Sequence, residues 1–269
     1  MRLSNLNKGN ALDKLTPLEL KLQPKGQDFI SVYPFCCLHI GHINSDTDKI
    51  KELLAQIVKD KNSYIILNGD LTENTIPSSA SRQRGAMYDQ CMNPKEQVSE
   101  VVKLLSPVKS RILGVLEGNH SLRSWYETNF SVEEQIANKL GVPYLGIDGL
   151  FHLMIYSSTE KGYRTYKIHS THGTGGASGP GGVINKVISQ ATRFQNCDIH
   201  VMGHFHQQVS TKKDTFDANG DKQTKTFVAT GSFLSYLNSY AHHALMNPVT
   251  LGIPEIRFYS NRHDIKVVL

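Results

Sequence analysis

Cysteine is scarce. Only four occur in the 269 residues, namely Cys36, Cys37, Cys91 and Cys197, and no two stand in a C-x-x-C spacing. So few cysteines in so long a chain exclude a disulfide framework and point to a reducing compartment. Long apolar runs are missing as well. No stretch approaches the roughly 18 apolar residues a membrane span needs, and Met1 to Leu15 is polar and mixed, without the apolar centre of a secretory signal. The expectation is a cytoplasmic protein with no membrane partner. The loop Gly173 to Gly182 is rich in glycine but lacks Gly-Lys-Ser/Thr and the G-x-G-x-x-G spacing, so neither a P-loop nor a dinucleotide site follows. The absence of G-x-S-x-G and of a papain-like cysteine motif argues against a covalent hydrolase. The excess of one sign of charge is also small, with 29 Lys and Arg against 24 Asp and Glu. A net charge of +5 suits an anionic substrate and is weak evidence for nucleic acid.

What is present reads as one α/β domain over 1–269, with residues 1–27 as an N-terminal arm whose apolar patch at Leu15 to Leu22 docks onto it. The pattern predicts strands over Asp28 to Leu38, Ser63 to Leu67, Arg111 to Leu116 and Asp198 to Met202, with more between Val142 and Ser170. Helices are predicted over Thr47–Lys59, from Ile50, Leu53, Leu54 and Ile57 at helical spacing, over Pro94 to Leu105 behind an Asn93 cap, over Ser131 to Leu140, and near Val183–Phe194. Thr72 to Asn93 is expected as a surface loop, and Asn219-Gly220 as a hairpin turn in a β-rich tail. Asp217 to Asp221 mimics the start of a calcium loop, but Lys222 stands at its sixth position where glycine is required.

The polar residues sit where the apolar strands end. Cys37-x-His39, Gly69-Asp70, Gly118-Asn119-His120, His172-Gly173 and Gly203-His204-x-His206 all fall at or just past a strand terminus. Loops at the carboxyl ends of parallel strands converge on one crevice. The side chains brought there, a thiol, a carboxylate, an amide and several imidazoles, are metal ligands. Read as extended chain, Cys37 and His39 point together and Cys36 points away, and His204 and His206 also share a side. Their bases are then roughly 7 Å apart, enough to straddle two metals about 3.5–4 Å apart.

These five segments resemble the calcineurin-like metallophosphoesterase family, whose pattern is D-x-H, G-D, G-N-H-[D/E], H and G-H-x-H. The likeness runs from about residue 30 to 206 and includes Gly41 after the first motif. It implies a four-layer α-β-β-α sandwich of two mixed sheets flanked by helices. It implies two divalent ions (manganese, zinc or iron), the first held by Cys37, His39, Asp70 and His206 and the second by Asp70, Asn119, His172 and His204. It further implies a metal-bridging hydroxide as nucleophile and His120 as proton donor to the leaving oxygen. The chain departs from the pattern twice, with Cys37 in the place of the first aspartate and Ser121 in the place of the acid after Asn-His. Gly231-Ser232-Phe233 and Ser239-Tyr240-Ala241 look like phage-encoded members, which tilts the expected substrate from a phosphomonoester towards a phosphodiester or nucleic acid.

Competing readings stand beside these. His42, His152, His200, His242, His243 and His263 are better read as surface or satisfied core residues, with His42 the one to watch for its closeness to His39. His169 competes with His172, and His172 is preferred because Gly173 follows it at a strand end. Cys36, Cys91 and Cys197 read as structural, as small buried thiols usually are. Arg82 and Arg84 read as solvated charges. Arg123 is close enough to Asn119-His120 to touch a substrate phosphate. The alternative from another class is a catalytically impaired fold of this family acting as a binding or scaffold module, which the loss of the aspartate at Cys37 favours.

Overall fold

A computed structural model describes residues 14–77, 79, 87–157, 161–177, 179–237, 242, 248 and 250–269. Alternation of apolar residues decides the layering. In β3 (Ser63–Asn68), Ile65 and Leu67 face one way and Ile66 the other, and all three are fully buried. A strand buried on both faces needs a layer on each side. Ile65 and Leu67 pack with Ile50, Leu54 and Ile57 of α1 (Thr47–Lys59), with Val98 and Val101 of α2 (Pro94–Leu105), and with Ile136 and Leu140 of α4 (Val132–Leu140). Ile66 packs against a second sheet through Phe151, Ile168 and Val201.

The first sheet has five strands in the order β11-β10-β2-β3-β4. β2 is Phe29–Phe35, β4 is Ile112–Leu116, β10 is Glu255–Tyr259 and β11 is Ile265–Val268. The second has six in the order β1-β5-β6-β7-β9-β8, with β1 Leu18–Leu22, β5 Asp148–Tyr156, β6 Tyr163–Thr171, β7 Ile199–Met202, β8 Val209–Phe216 and β9 Lys222–Ala229. Both are mixed. β2, β3 and β4 run parallel, as do β6, β7 and β9, while β10 and β8 join antiparallel. α5 (Gly179–Ala191) covers the outer face of the second sheet through Val183, Val187 and Ala191. Three apolar interfaces therefore separate four layers, the α-β-β-α sandwich.

The element predictions need few changes. α2 carries the full capping box, Asn93 accepting from Glu96 N and Glu96 from Asn93 N, both at 3.0 Å. Part of the segment read as an arm, Leu18–Leu22, is an edge strand parallel to β5. α5 begins at Gly179, inside the stretch read as a glycine loop, and α3 (Asn119–Thr128) had no helical signal in the apolar pattern. Among the described residues, no helix is long and apolar enough to cross a membrane.

Candidate metal centre

Parallel β2, β3 and β4 end side by side, and parallel β6 and β7 end opposite them across the sandwich. Asn68, the last residue of β3, joins the two sheets. Its Nδ2 donates to Thr171 O at 3.0 Å, and its Oδ1 accepts from Ser170 Oγ at 2.9 Å. The loops after β3 and β4 touch because two glycines let them. A Cβ on Gly118 would stand 2.1 Å from Asp70 N, and one on Gly69 would stand 2.7 Å from Gly118 Cα. That contact lets Asp70 Oδ1 accept from His120 N at 2.8 Å, at the start of α3.

The backbone at these loops is not extended. Cys37, His39, Asp70, His204 and His206 all have φ between 48 and 73°. Side chains rarely adopt this left-handed region, and each such residue costs about 1–3 kcal/mol. The i, i+2 reading of Cys37–His39 and His204–His206 is therefore corrected: sharp turns, not a pleat, aim these side chains. Cys36 does not stand apart either. Its Sγ is 3.3 Å from Cys37 Sγ and 3.4 Å from His172 Nδ1.

The turns bring the candidates together. His39 Nε2 lies 3.1 Å from His206 Nε2, and ligand atoms of Cys37, His39 and His206 all lie within 4.8 Å of one another. Asp70 Oδ2 lies 3.0 Å from His172 Nε2 and 3.8 Å from His120 Nε2. Asn119 Oδ1 is 2.9 Å from both His172 Nε2 and His204 Nδ1. Asp70, His172 and His204 form a further compact group. Cys37, His39, Asp70 and His172 are almost wholly buried.

Three of the four candidate ligand imidazoles are oriented from behind. His39 Nδ1 donates to Glu73 Oε2 at 3.0 Å, His172 Nδ1 to Asn68 O at 2.9 Å, and His204 Nε2 to Gly175 O at 2.8 Å. In a neutral imidazole the other nitrogen then carries a lone pair. Those nitrogens face one another, the Asp70 carboxylate and the Asn119 carbonyl oxygen. Such a nest of acceptors calls for positive charge. Burial pushes Asp70 upward, but the imidazoles of His172, His120 and His39 outweigh it and hold its carboxyl well below the usual range. Burial pulls His172 down, and the Asp70 charge and Cys36 raise it well above an ordinary imidazole. His206 is driven well down by burial and by His39 beside it.

Sequence reading missed Glu73. It is 4% exposed and stands three residues past Asp70. Its carboxylate serves His39, lies 3.5 Å from His120 Nδ1 and 3.5 Å from Arg123, and accepts from Thr75 Oγ1 at 2.9 Å. Burial raises its pKa, and His120, His39 and Arg123 bring it far below the ordinary value. A carboxylate at this spacing was the only sequence signal. Behind the site lies Glu133, fully buried, which burial and Glu117 push up to about 8. His120 Nδ1 donates to Glu73 O at 2.8 Å, and Arg123 donates to His120 Nε2 at 3.0 Å and to Glu73 O at 2.9 Å. His42 stays outside the cluster, its Nδ1 accepting from Asn44 N. Arg82, Arg84, His243 and Ser239 to Ala241 lie outside the described residues.

Layer order and the loops at the sheet ends settle the architecture. The fold is the α-β-β-α sandwich of two mixed sheets that the sequence resemblance implied. No family model matches the chain and no curated protein does. Among solved structures it is similar to a conserved uncharacterized protein, a predicted phosphoesterase, from Streptococcus pneumoniae, at 13% identity over 90% of this chain and 91% of that one, with TM-score 0.36. It is also similar to Vacuolar Protein Sorting 29 from Cryptosporidium parvum, at 16% identity over 90% and 98% of the two chains, with TM-score 0.44. NAD nucleotidase from Haemophilus influenzae is similar at 11% identity and TM-score 0.42, and there the match spans 90% of this chain and 49% of the other. At these scores the likenesses stand as resemblances, and the reading of the site rests on its own residues.

Proposed function

We propose that this chain hydrolyses phosphate esters with two divalent metal ions, and that phosphodiesters are favoured over phosphomonoesters. Cys37, His39, Asp70 and His206 would hold the first ion, and Asp70, Asn119, His172 and His204 the second. The observation that carries this reading is the set of imidazoles locked from behind by Glu73, Asn68 and Gly175, so that their acceptor nitrogens meet a carboxylate and an amide oxygen. Thiolate, imidazole and carboxylate together suit zinc or iron, and carboxylate and amide also admit manganese. When bound, the two cations supply Lewis-acid polarisation of the phosphoryl group and an acidified water.

The remaining roles belong to the chain itself. His120 is fastened through Nδ1 to Glu73 O, so Nε2 is the atom left to hand a proton to the leaving oxygen. Arg123 donates to that Nε2. A phosphate oxygen that takes over this donor frees Nε2 to carry the proton, and leaves the guanidinium on the substrate. Glu73 positions His39, His120 and Arg123 at once.

The test is metal analysis of the purified protein beside hydrolysis of a phosphodiester and a phosphomonoester reporter. Two ions per chain with faster turnover of the diester is the expected result. A protein that takes up no metal and turns over neither ester overturns the reading and leaves the binding-module alternative.

A further inference from the structure

α3 does more than present Asn119 and His120. It runs on for two further turns, and its far end is aromatic and open. Tyr126 is 74% exposed and Trp125 45%, with ring centroids 5.3 Å apart and ring planes at 73°. Helical periodicity places Asn119, Arg123 and Tyr126, at i, i+4 and i+7, on one stripe. At 1.5 Å of rise per residue, Tyr126 stands about 10 Å along the axis from Asn119. Scattered exposed apolar residues need no explanation. Tyr126 therefore ends a stripe that begins at a candidate metal ligand and passes Arg123, and the ring of Trp125 packs against it from the side.

The charges along that stripe decide what fits. Arg123 stands near the metal end. Glu127, exposed beside Tyr126, is an acid at the outer end. A second phosphate would be repelled there, whereas a flat uncharged group would not. Resting on the metal-hydrolase reading above, we infer that Tyr126 and Trp125 form a stacking subsite for the nucleobase attached next to the scissile phosphate, with Arg123 between base and metals. Aromatic stacking is tolerant of base identity, so the subsite selects for nucleotide-bearing phosphodiesters without reading their sequence.

Trp125 is the only tryptophan of the chain, so its fluorescence reports this surface alone. The experiment titrates the full chain with a single-stranded oligonucleotide, with a nucleoside monophosphate, and with an abasic strand of the same backbone length. Expected is saturable quenching by the base-bearing ligands and little by the abasic strand. Tighter quenching by the strand identifies a polymer as the occupant, and equal quenching a free nucleotide. Tyr126→Ala should weaken base-dependent binding about tenfold, and Tyr126→Phe, which keeps the ring, should restore it. Kinetically, Tyr126→Ala should raise KM rather than lower kcat, and cut about tenfold the preference for a nucleotide diester over a base-less alkyl diester. Equal quenching by the abasic strand, or an unchanged preference in Tyr126→Ala, overturns the subsite even where both diesters are hydrolysed. Base-dependent quenching in a protein that hydrolyses neither ester keeps the subsite and removes the hydrolase reading.

Discussion

Strands β6 and β7 each hold one histidine and lead into another just past their end, and the inner and outer pairs have different fates. His169 and His200 are register partners inside the ladder. His172 and His204 come three and four residues later, past the strand ends. The inner pair is closed on every side. His169 Nε2 donates to Asp148 Oδ1 at 3.0 Å, Arg193 holds the same carboxylate, and the Nδ1 atoms of His169 and His200 lie 3.3 Å apart. Phe194 stacks on His169 at 4.1 Å, and Phe227 on His200 at 5.5 Å. The outer pair has its rear nitrogens satisfied and its front nitrogens aimed at Asn119 and Asp70. Residue type and strand are shared. What separates a packed histidine from a candidate ligand is whether the backbone is still in the sheet or has turned out of it.

Substitutions can break that contrast, starting where the effect is largest. Asp70 belongs to both proposed ion positions, so Asp70→Asn should lower metal content as well as lowering kcat by about 10³-fold. Full metal content and full rate in that variant would remove Asp70 from the centre. His120→Ala should cost about 10²-fold in turnover while metal content persists, and the loss should shrink for diesters with good leaving groups. Loss of metal with this substitution would make His120 a ligand instead.

Smaller effects sharpen the comparison. Cys37→Asp should stay folded and active and shift its metal preference from zinc or iron towards manganese, while Cys37→Ala weakens the first site. Because Cys36 Sγ touches both Cys37 and His172 Nδ1, Cys36→Ala should lower metal affinity as well, by about tenfold. A metal titration of the three variants, with activity and metal content read together, distinguishes these outcomes. A Cys36→Ala protein identical to the parent would make that thiol mere filling. The inner pair gives the least effect on chemistry. Burial, His169 and Lys225 pull His200 down to about 3. A depressed histidine gives stability that is present above the unfolded value near 6.5 and is lost as pH falls towards 3. His200→Phe should therefore flatten acid destabilisation between pH 6.5 and 3, by on the order of 2 kcal/mol at pH 4, with metal content unchanged. Denaturant melts at several pH values check the sign.

The contrast also explains what could be read from the chain. Periodicity and caps place α1, α2 and β3 because these elements follow local rules. Asp46 accepts from Lys49 N at the start of α1, and Asn93 caps α2. The five motif segments were legible as residue types at strand ends. Their aim was not, since left-handed turns at Cys37, His39, His204 and His206 have no period. Glu73 was missed because it becomes a partner of His39 only once the segment after Asp70 pairs alongside Ile40. α3 was hidden because its buried face amounts to little more than Ser121. α5 tolerates Gly181 and Gly182 in its first turn, where no intrahelical donor bond is required, and Pro180 lacks the N–H that would otherwise be orphaned there.

The five left-handed residues at the centre also bear on heat tolerance. At about 1–3 kcal/mol each they sum to at least 5 kcal/mol, as large as the whole net stability of many domains. The sandwich must hold these loops in shape against their own preference, so they are the part of the molecule with the most to gain by letting go. On warming, the loops should open locally while both sheets stay intact. Catalytic competence would then have a lower melting point than the protein that carries it.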